Sequence, residues 1–135
     1  MKELIILKEN TKGIKEPKDI FKNIEKINID YLQENFLIFY LNTKNNVLGS
    51  EVLFKGGLNS CLIDPKVIFR KALINNSNSI IIAHNHPSND LRPSKEDING
   101  YKELRKIGRI LDLNVLDSII FNKTEFYSLN KEDDI

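Results

Sequence analysis

The sequence predicts one α/β (mixed α+β) domain, in which a mixed β-sheet is flanked by helices. Its 135 residues can bury one compact core but are too few for two ordinary domains. Strand-like and helical segments alternate in the middle of the chain, and strand hairpins lie on either side. We expect a single domain over residues 1–135, with its core at about 14–128 and a frayed acidic tail at 131–135.

The first half of the chain predicts three strands and one helix. Residues 4–7 form a short apolar strand. A helix then begins at Pro17, because proline favours the first helical position and the apolar residues that follow recur at the spacing of one helix face: Ile20, Phe21, Ile24 and Ile27. Residues 36–41 are a buried strand, 42–46 have turn chemistry, and 47–54 form the returning strand of a hairpin.

The second half predicts two helices and three further strands. Gly56 and Gly57 end the hairpin, and Asp64 caps a helix whose first residue is Pro65 and whose apolar face is Ile68, Ala72 and Leu73. Residues 79–84 are apolar on both faces, which is typical of a central strand. A helix from Lys95 to about Leu111 follows, with Ile98, Leu104, Gly108 and Leu111 at helical intervals. Residues 115–121 and 125–129 complete the sheet.

Composition excludes several classes of protein. The net charge is +1, with 20 basic and 19 acidic side chains, so charge gives no support for a strong nucleic-acid binder. The longest apolar runs are strand-sized, so we expect no membrane association, and the N-terminus lacks a secretory pattern. We therefore expect a cytoplasmic protein.

The single cysteine, Cys61, excludes an intrachain disulfide and predicts a small buried hydrophobic side chain.

The only two histidines of the chain, His84 and His86, lie at the end of the central strand. Residues i and i+2 of a strand share a face, so both imidazoles point to one side while Asn85 points away, and Pro87 ends the strand. Two neutral imidazoles are half of a tetrahedral zinc site. Asp97, in the first turn of the next helix, is the third candidate ligand and leaves the fourth position to water.

A purely structural interpretation of the same residues stays open. Ser94 and Asp97 form a variant of the capping box, in which Asp97 returns a hydrogen bond to the Ser94 backbone. The two histidines can equally be the polar end of a strand. The two histidines together with Ser94 and Asp97 nevertheless indicate a metal site more specifically than either pair does alone.

These residues resemble the zinc metalloprotease signature of the JAB/MPN (JAMM) family, which is His-x-His, seven residues, Ser, two residues and Asp. His84, His86, Ser94 and Asp97 satisfy that signature. Further stretches of the sequence are similar to the RadC subfamily: AHNHPS at 83–88, Pro93-Ser94, Asp64-Pro65, FKGGLN at 54–59, and Leu116-Asp117 before Ile119-Ile120. The similarity runs from about residue 14 to 128. Longer RadC proteins often carry a preceding helix-hairpin-helix region, so we expect this chain to be the C-terminal module.

Three positions depart from the RadC pattern. Asn89 and Gly57 stand where Gly and Thr, respectively, are common, and Ser118 stands where a His is common. None of them removes a metal ligand. The role carried by that His, in binding substrate or in orienting a ligand, stays open here.

The resemblance implies a Zn²⁺-dependent hydrolase of peptide, isopeptide or related amide bonds, with a peptide or protein substrate. Zinc held by His84, His86 and Asp97 would activate a water molecule. The general base of the family is a glutamate just before a core strand, a position that Glu34 resembles, and Glu51 inside the returning strand is the alternative. The Ser94 hydroxyl would hydrogen-bond the developing oxyanion.

Two other classes of function fit the sequence less well. The same fold could serve as a binding module in DNA repair or recombination, with which the RadC name is historically associated, although the near-neutral charge argues weakly against it. The adjacent His-Asn-His does not match HNH nucleases, whose three residues are scattered over a hairpin and a helix. A zinc deaminase needs a Pro-Cys-x-x-Cys pair, which a chain with one cysteine lacks.

Overall fold

A six-stranded mixed sheet forms the centre of the molecule. The computed structural model describes residues 4–5, 13–56 and 64–130. Its elements in chain order are β1 (Leu4–Ile5), α1 (Pro17–Ile24), β2 (Glu34–Leu41), β3 (Val47–Gly56), α2 (Pro65–Ile74), β4 (Ser79–Asn85), α3 (Lys95–Leu111), β5 (Asn114–Phe121) and β6 (Phe126–Ser128). The strand order is β1-β3-β2-β4-β5-β6, with β4 and β5 parallel and the other neighbours antiparallel. The α/β class with a mixed sheet is therefore confirmed.

Each face of the sheet is covered by helices, as the apolar pattern of β4 predicts. One face packs against α1 through Ile20, Phe21 and Ile24, which meet alternate residues of the central strands. The other face packs against α2 and α3, including Ile68, Ala72, Tyr101 and Leu104. All seven residues of β4 are buried. The strand that leads to the histidines is therefore packed between two helical layers.

The unit β4-α3-β5 positions the candidate site. Two parallel neighbouring strands need a crossover connection, and α3 supplies it. Ligands of α/β proteins commonly bind beyond the carboxyl ends of such strands. Gly108 lets the other end of α3 approach the chain that enters β5, since a Cβ on Gly108 would lie 2.4 Å from the carbonyl oxygen of Leu113. The loop between β4 and α3 contains His86 and the helix cap Ser94.

The predicted elements and the observed ones differ mainly at their ends. The bounds of α3 agree, and β3 and β4 extend two residues and one residue further than predicted. Leu73 and Leu111 were predicted on apolar helix faces but are 57% and 45% exposed, because Leu73 lies about 100° around α2 from buried Ala72 and Leu111 lies in the last turn of α3. Residues 6–7 of the first predicted strand, together with Gly57, Cys61 and the tail at 131–135, lie outside the described residues. Within the described part, no helix has the length and apolar character needed to cross a membrane.

Candidate metal centre

Three potential metal ligands converge where β4 ends and α3 begins. The Nε2 atom of His84 lies 3.0 Å from Oδ1 of Asp97, and Nε2 of His86 lies 3.0 Å from Oδ2 of the same carboxylate. One ligand atom from each residue can be chosen so that all three lie within 4.8 Å of one another. His84 is buried, whereas His86 and Asp97 are partly exposed, so the cluster opens to solvent on one side.

The tautomer of His86 follows from its surroundings. Its Nδ1–H donates to the backbone carbonyl of Asp90 at 2.7 Å, and a carbonyl can only accept, so the Nδ1 proton is fixed. The Nε2 lone pair is then directed at the Asp97 carboxylate, which also only accepts. Either a proton or a metal cation must lie between these two acceptors. Hydrogen bonding to Asp97 accordingly raises the pKa of His86, although burial opposes the shift.

His84 is oriented by packing. Its ring stacks on Phe36 with centroids 6.2 Å apart and an angle of 17° between the planes. Neither ring nitrogen has a hydrogen-bond partner among the described residues, because the approach of Nε2 to Asp97 lacks hydrogen-bond geometry. A buried imidazole nitrogen that lies 3.0 Å from a carboxylate oxygen without a hydrogen bond to it is suited to share a cation with that carboxylate. Two imidazoles and one carboxylate are a donor set that zinc accepts, and one ligand atom from each of the three residues lies within 4.8 Å of the others.

Asp97 serves the helix cap and the candidate metal cluster at once. Its Oδ2 accepts the backbone N–H of Ser94 at 2.8 Å, and its own N–H donates to Ser94 Oγ at 3.0 Å. Burial by itself would raise the pKa of Asp97. The close contacts with His84 and His86, together with the Ser94 N–H, outweigh that effect and hold the pKa of Asp97 well below its usual range. The carboxylate is therefore ionised, as a metal ligand must be.

Ser94 lies in the same cleft as the ligands. Its Oγ accepts the cap hydrogen bond through a lone pair, so the hydroxyl hydrogen is not used by the cap. The side chain is thus able to donate to a molecule in the cleft. Its predicted role toward an oxyanion remains a prediction.

The two candidate bases occupy different surroundings. Glu34 lines the cleft of about 550 Å³ that contains His84, His86 and Asp97. Phe36 pairs with His84 across the antiparallel strands β2 and β4, so continuing the register by two residues places Glu34 opposite His86, on the same face.

Glu51 belongs to a separate buried network. It accepts the hydroxyl hydrogen of Tyr40 at 2.9 Å and pairs with Lys71 of α2 at 3.2 Å. It is not among the residues that line the cleft. Of the two, Glu34 is the carboxylate that the fold brings to the candidate ligands.

The loop between His86 and Ser94 is held by short-range hydrogen bonds. Arg92 donates from its side chain and backbone to the Asp90 carboxylate, which lowers the pKa of Asp90 to about 2. Asn89 has φ of +66°, a left-handed conformation that favours glycine, which is the residue expected at this position from the RadC resemblance. Its carbonyl accepts from the side chain of Asn122 at 3.1 Å. The loop thereby fixes the carbonyl that orients His86.

Ser118 lies on β5, next to Ile82 of β4 in the register of the parallel pair. It is buried, and its N–H donates to the Asp117 carboxylate at 2.7 Å. It lines neither the cleft nor the metal cluster.

Three contributors to the site were not recognised as functional in the sequence: Phe36 beneath His84, the Asp90 carbonyl on His86, and the side chain of Asn85. Phe36 reads as an ordinary core residue, and a backbone carbonyl has no sequence signal. Asn85 had a usable signal, since a polar residue within an apolar central strand needs a buried hydrogen-bond partner.

Comparison with known proteins agrees with the fold and the motif. The family model described as RadC-like JAB domain matches residues 14–134. A UPF0758 protein of Staphylococcus haemolyticus is 41% identical over 119 residues, which are 88% of this chain and 52% of that protein. UPF0758 proteins of Clostridium perfringens and Bacillus cereus are each 40% identical over 124 residues, covering 89% and 92% of this chain and 53% and 55% of theirs.

The chain thus spans about half the length of the curated relatives that it matches. The family match covers nearly all described residues, including the complete cluster of His84, His86 and Asp97. The resemblance found in the sequence is therefore confirmed. This chain belongs to the family of RadC-like JAB domains.

Proposed function

We propose that this domain is a zinc-dependent hydrolase of peptide, isopeptide or related amide bonds, acting on a peptide or protein substrate. The observation that supports it is the convergence of His84, His86 and Asp97 in one open cleft that Glu34 also lines. A purely structural cluster would not need this additional carboxylate beside an open face. Membership of the RadC-like JAB family supports the same reaction class.

His84, His86 and Asp97 would hold the zinc ion. When bound, zinc would supply Lewis acidity and lower the pKa of a water molecule toward neutrality. The Nδ1–H of His86, donated to the Asp90 carbonyl, keeps the Nε2 lone pair directed at the metal position. Stacking on Phe36 orients His84 in the same way.

Glu34 would move the proton. Its carboxylate accepts a proton from the attacking water and delivers it to the amine that leaves. Ser94 would donate its hydroxyl hydrogen to the substrate carbonyl oxygen as negative charge develops there. The cleft of about 550 Å³ is open enough to admit an extended segment of a larger substrate.

The test compares wild type, Glu34→Gln and Glu51→Gln for zinc content and for hydrolysis of a panel of amide, peptide and isopeptide substrates. We expect all three proteins to keep zinc, and Glu34→Gln to lose roughly a hundredfold or more of the activity. Glu51→Gln, the matched control, should retain it. Loss of activity in Glu51→Gln alone would transfer the role to Glu51, and no turnover by zinc-loaded wild type would favour a binding module.

A further inference from the structure

Asn85 lies between the two candidate ligands, and its side chain is completely buried. Because neighbouring side chains of a strand point to opposite faces, it projects away from the metal cluster. Its Oδ1 accepts the backbone N–H of Asn35 at 2.7 Å, and its Nδ2 donates to the backbone carbonyl of Gln33 at 2.8 Å. Gln33 and Asn35 are the residues on either side of Glu34. One amide thus holds the backbone on both sides of the candidate base.

The contact occupies the point where the strand ladder ends. Phe36 and His84 are the last paired residues of β2 and β4 at this end of the ladder. Beyond this pair, the side chain of Asn85, and not a backbone carbonyl, accepts the hydrogen bond from the Asn35 N–H. The side chain of Asn35 reinforces the link, because its Nδ2 lies within 3.2 Å of Asn85 Oδ1 and donates to the carbonyl of Asp30 at 2.9 Å.

The chemistry of an amide explains why asparagine stands here. The two backbone groups that need partners are one donor and one acceptor, and a carboxamide offers both from a single short side chain. An aspartate would place a carboxylate against the Gln33 carbonyl, so that two acceptors would face each other. A leucine of similar size would leave the buried Asn35 N–H and the partly buried Gln33 carbonyl without these bonds.

We propose that Asn85 is a positioning residue, which sets Glu34 relative to His84 and His86 by holding both of its chain neighbours. The inference rests on the proposed function, because only there does Glu34 have a proton to transfer. Proton transfer requires donor and acceptor about 3 Å apart, and a displacement of 1 Å at a reacting group can cost on the order of a hundredfold in rate. Asn85 therefore links the strand segment that carries the candidate ligands to the segment that carries Glu34.

A double-mutant cycle tests this inference. Asn85→Ala should keep zinc, lower kcat on the order of tenfold to a hundredfold, and leave KM nearly unchanged. In a Glu34→Gln background the same change should have little further effect on kcat, because the group that it positions is gone. Additive losses of kcat in the two backgrounds would overturn the proposal.

Asn23→Ala is the matched control. Asn23 is also a buried asparagine, and its Nδ2 donates to the backbone carbonyl of Asp19 at 2.9 Å within α1, away from the residues that line the cleft. It should lower stability without changing kcat. Should Asn85→Ala fail to fold, Asn85→Ser serves instead, since a hydroxyl is too short to bridge both backbone groups.

A structural measurement separates failure of this inference from failure of the proposed function. Crystal structures of wild type and the Asn85 variant should show the carboxylate of Glu34 displaced from the cluster in the variant. An unmoved Glu34 would overturn the positioning role, whatever the activity of the protein. If zinc-loaded wild type hydrolyses nothing in the panel while Glu34 moves in the variant, the proposed function fails and the positioning of Glu34 stands.

Discussion

Ser94 and Asp97 exchange two hydrogen bonds at the start of α3, at 2.8 Å from the Ser94 N–H to Oδ2 and at 3.0 Å from the Asp97 N–H to Oγ. The capping box and the metal cluster are therefore not competing interpretations. The cap holds the carboxylate in the orientation in which its two oxygens face His84 and His86. Helix formation and arrangement of the candidate ligands depend on the same side chain.

Ser94→Ala should cost about 1 kcal/mol in the free energy of unfolding, because the hydroxyl that accepts the Asp97 N–H is lost. Zinc content should persist, since the Ser94 backbone N–H still holds the carboxylate. If Ser94 also donates to an oxyanion, kcat should fall by roughly a hundredfold. Denaturant unfolding and steady-state kinetics measure the two effects.

Asp64→Ala provides the control for Ser94→Ala. Asp64 caps α2 by accepting the N–H of Lys66 at 2.9 Å, and it does not line the cleft. Its replacement should cost a similar amount of stability with no change in kcat. Equal kinetics for wild type and Ser94→Ala would leave Ser94 as a cap alone.

Removing a candidate ligand should abolish stoichiometric zinc. Wild type purified without a histidine tag should contain about one zinc per chain, and His84→Ala or Asp97→Ala should contain far less, because each change removes one of the three candidate ligands. Glu96→Ala is the control, since Glu96 also lines the cleft but lies outside the cluster. Elemental analysis provides the measurement, and equal zinc in all four proteins would exclude the site.

Chelation gives a second readout of the same site. A ligand that binds the folded state alone stabilises it by about 2.7 kcal/mol at a hundred times its Kd. A chelator should therefore lower the unfolding temperature of wild type but leave that of Asp97→Ala unchanged. A chelator effect of equal size on both proteins would mean that the metal is bound elsewhere.

The sequence predicts the frame of the site better than its contacts. The bounds of α3 were predictable because the Ser94 cap and the apolar spacing are local signals. His84, His86 and Asp97 could be grouped for the same reason, since they lie within fourteen residues of one strand-loop-helix segment. The contacts of Asn85 with Gln33 and Asn35 were not predictable, because they join positions about fifty residues apart and depend on the register between β2 and β4.

Glu51 is a residue for which the sequence suggested a catalytic role but the structure shows a buried hydrogen bond and ion pair. Its position inside a strand made it a plausible general base, yet its partners Tyr40 and Lys71 come from β2 and α2. We expect Glu51→Leu to lower the free energy of unfolding by roughly 1–3 kcal/mol, because the buried Tyr40 hydroxyl loses its acceptor. Glu51→Gln should cost less, since an amide oxygen can still accept. Denaturant unfolding of both variants distinguishes this stabilising role, and a larger loss of stability in Glu51→Gln than in Glu51→Leu would contradict it.

Asp117 provides a prediction of pH dependence away from the metal cluster. Burial raises the pKa of its carboxyl, although Ser128 Oγ at 2.6 Å and the backbone N–H groups of Asn130 and Ser118 donate to it and oppose the shift. With a folded pKa above the unfolded value of about 3.8, the folded protein binds the proton more tightly than the unfolded chain does. This group's contribution to stability therefore decreases as pH rises from about 3.8 through the raised folded pKa, and is constant above it.

Asp117→Asn removes that titration while it keeps a side chain of similar size. The free energy of unfolding of wild type minus that of the variant should therefore fall as pH rises from about 4, and it should become constant once the folded carboxyl is ionised. Urea unfolding of both proteins at a series of pH values, with a chelator present so that zinc does not contribute, measures this difference. A difference that grows with pH would mean that Ser128, Asn130 and Ser118 stabilise the carboxylate by more than burial costs it, and that the folded pKa is lowered.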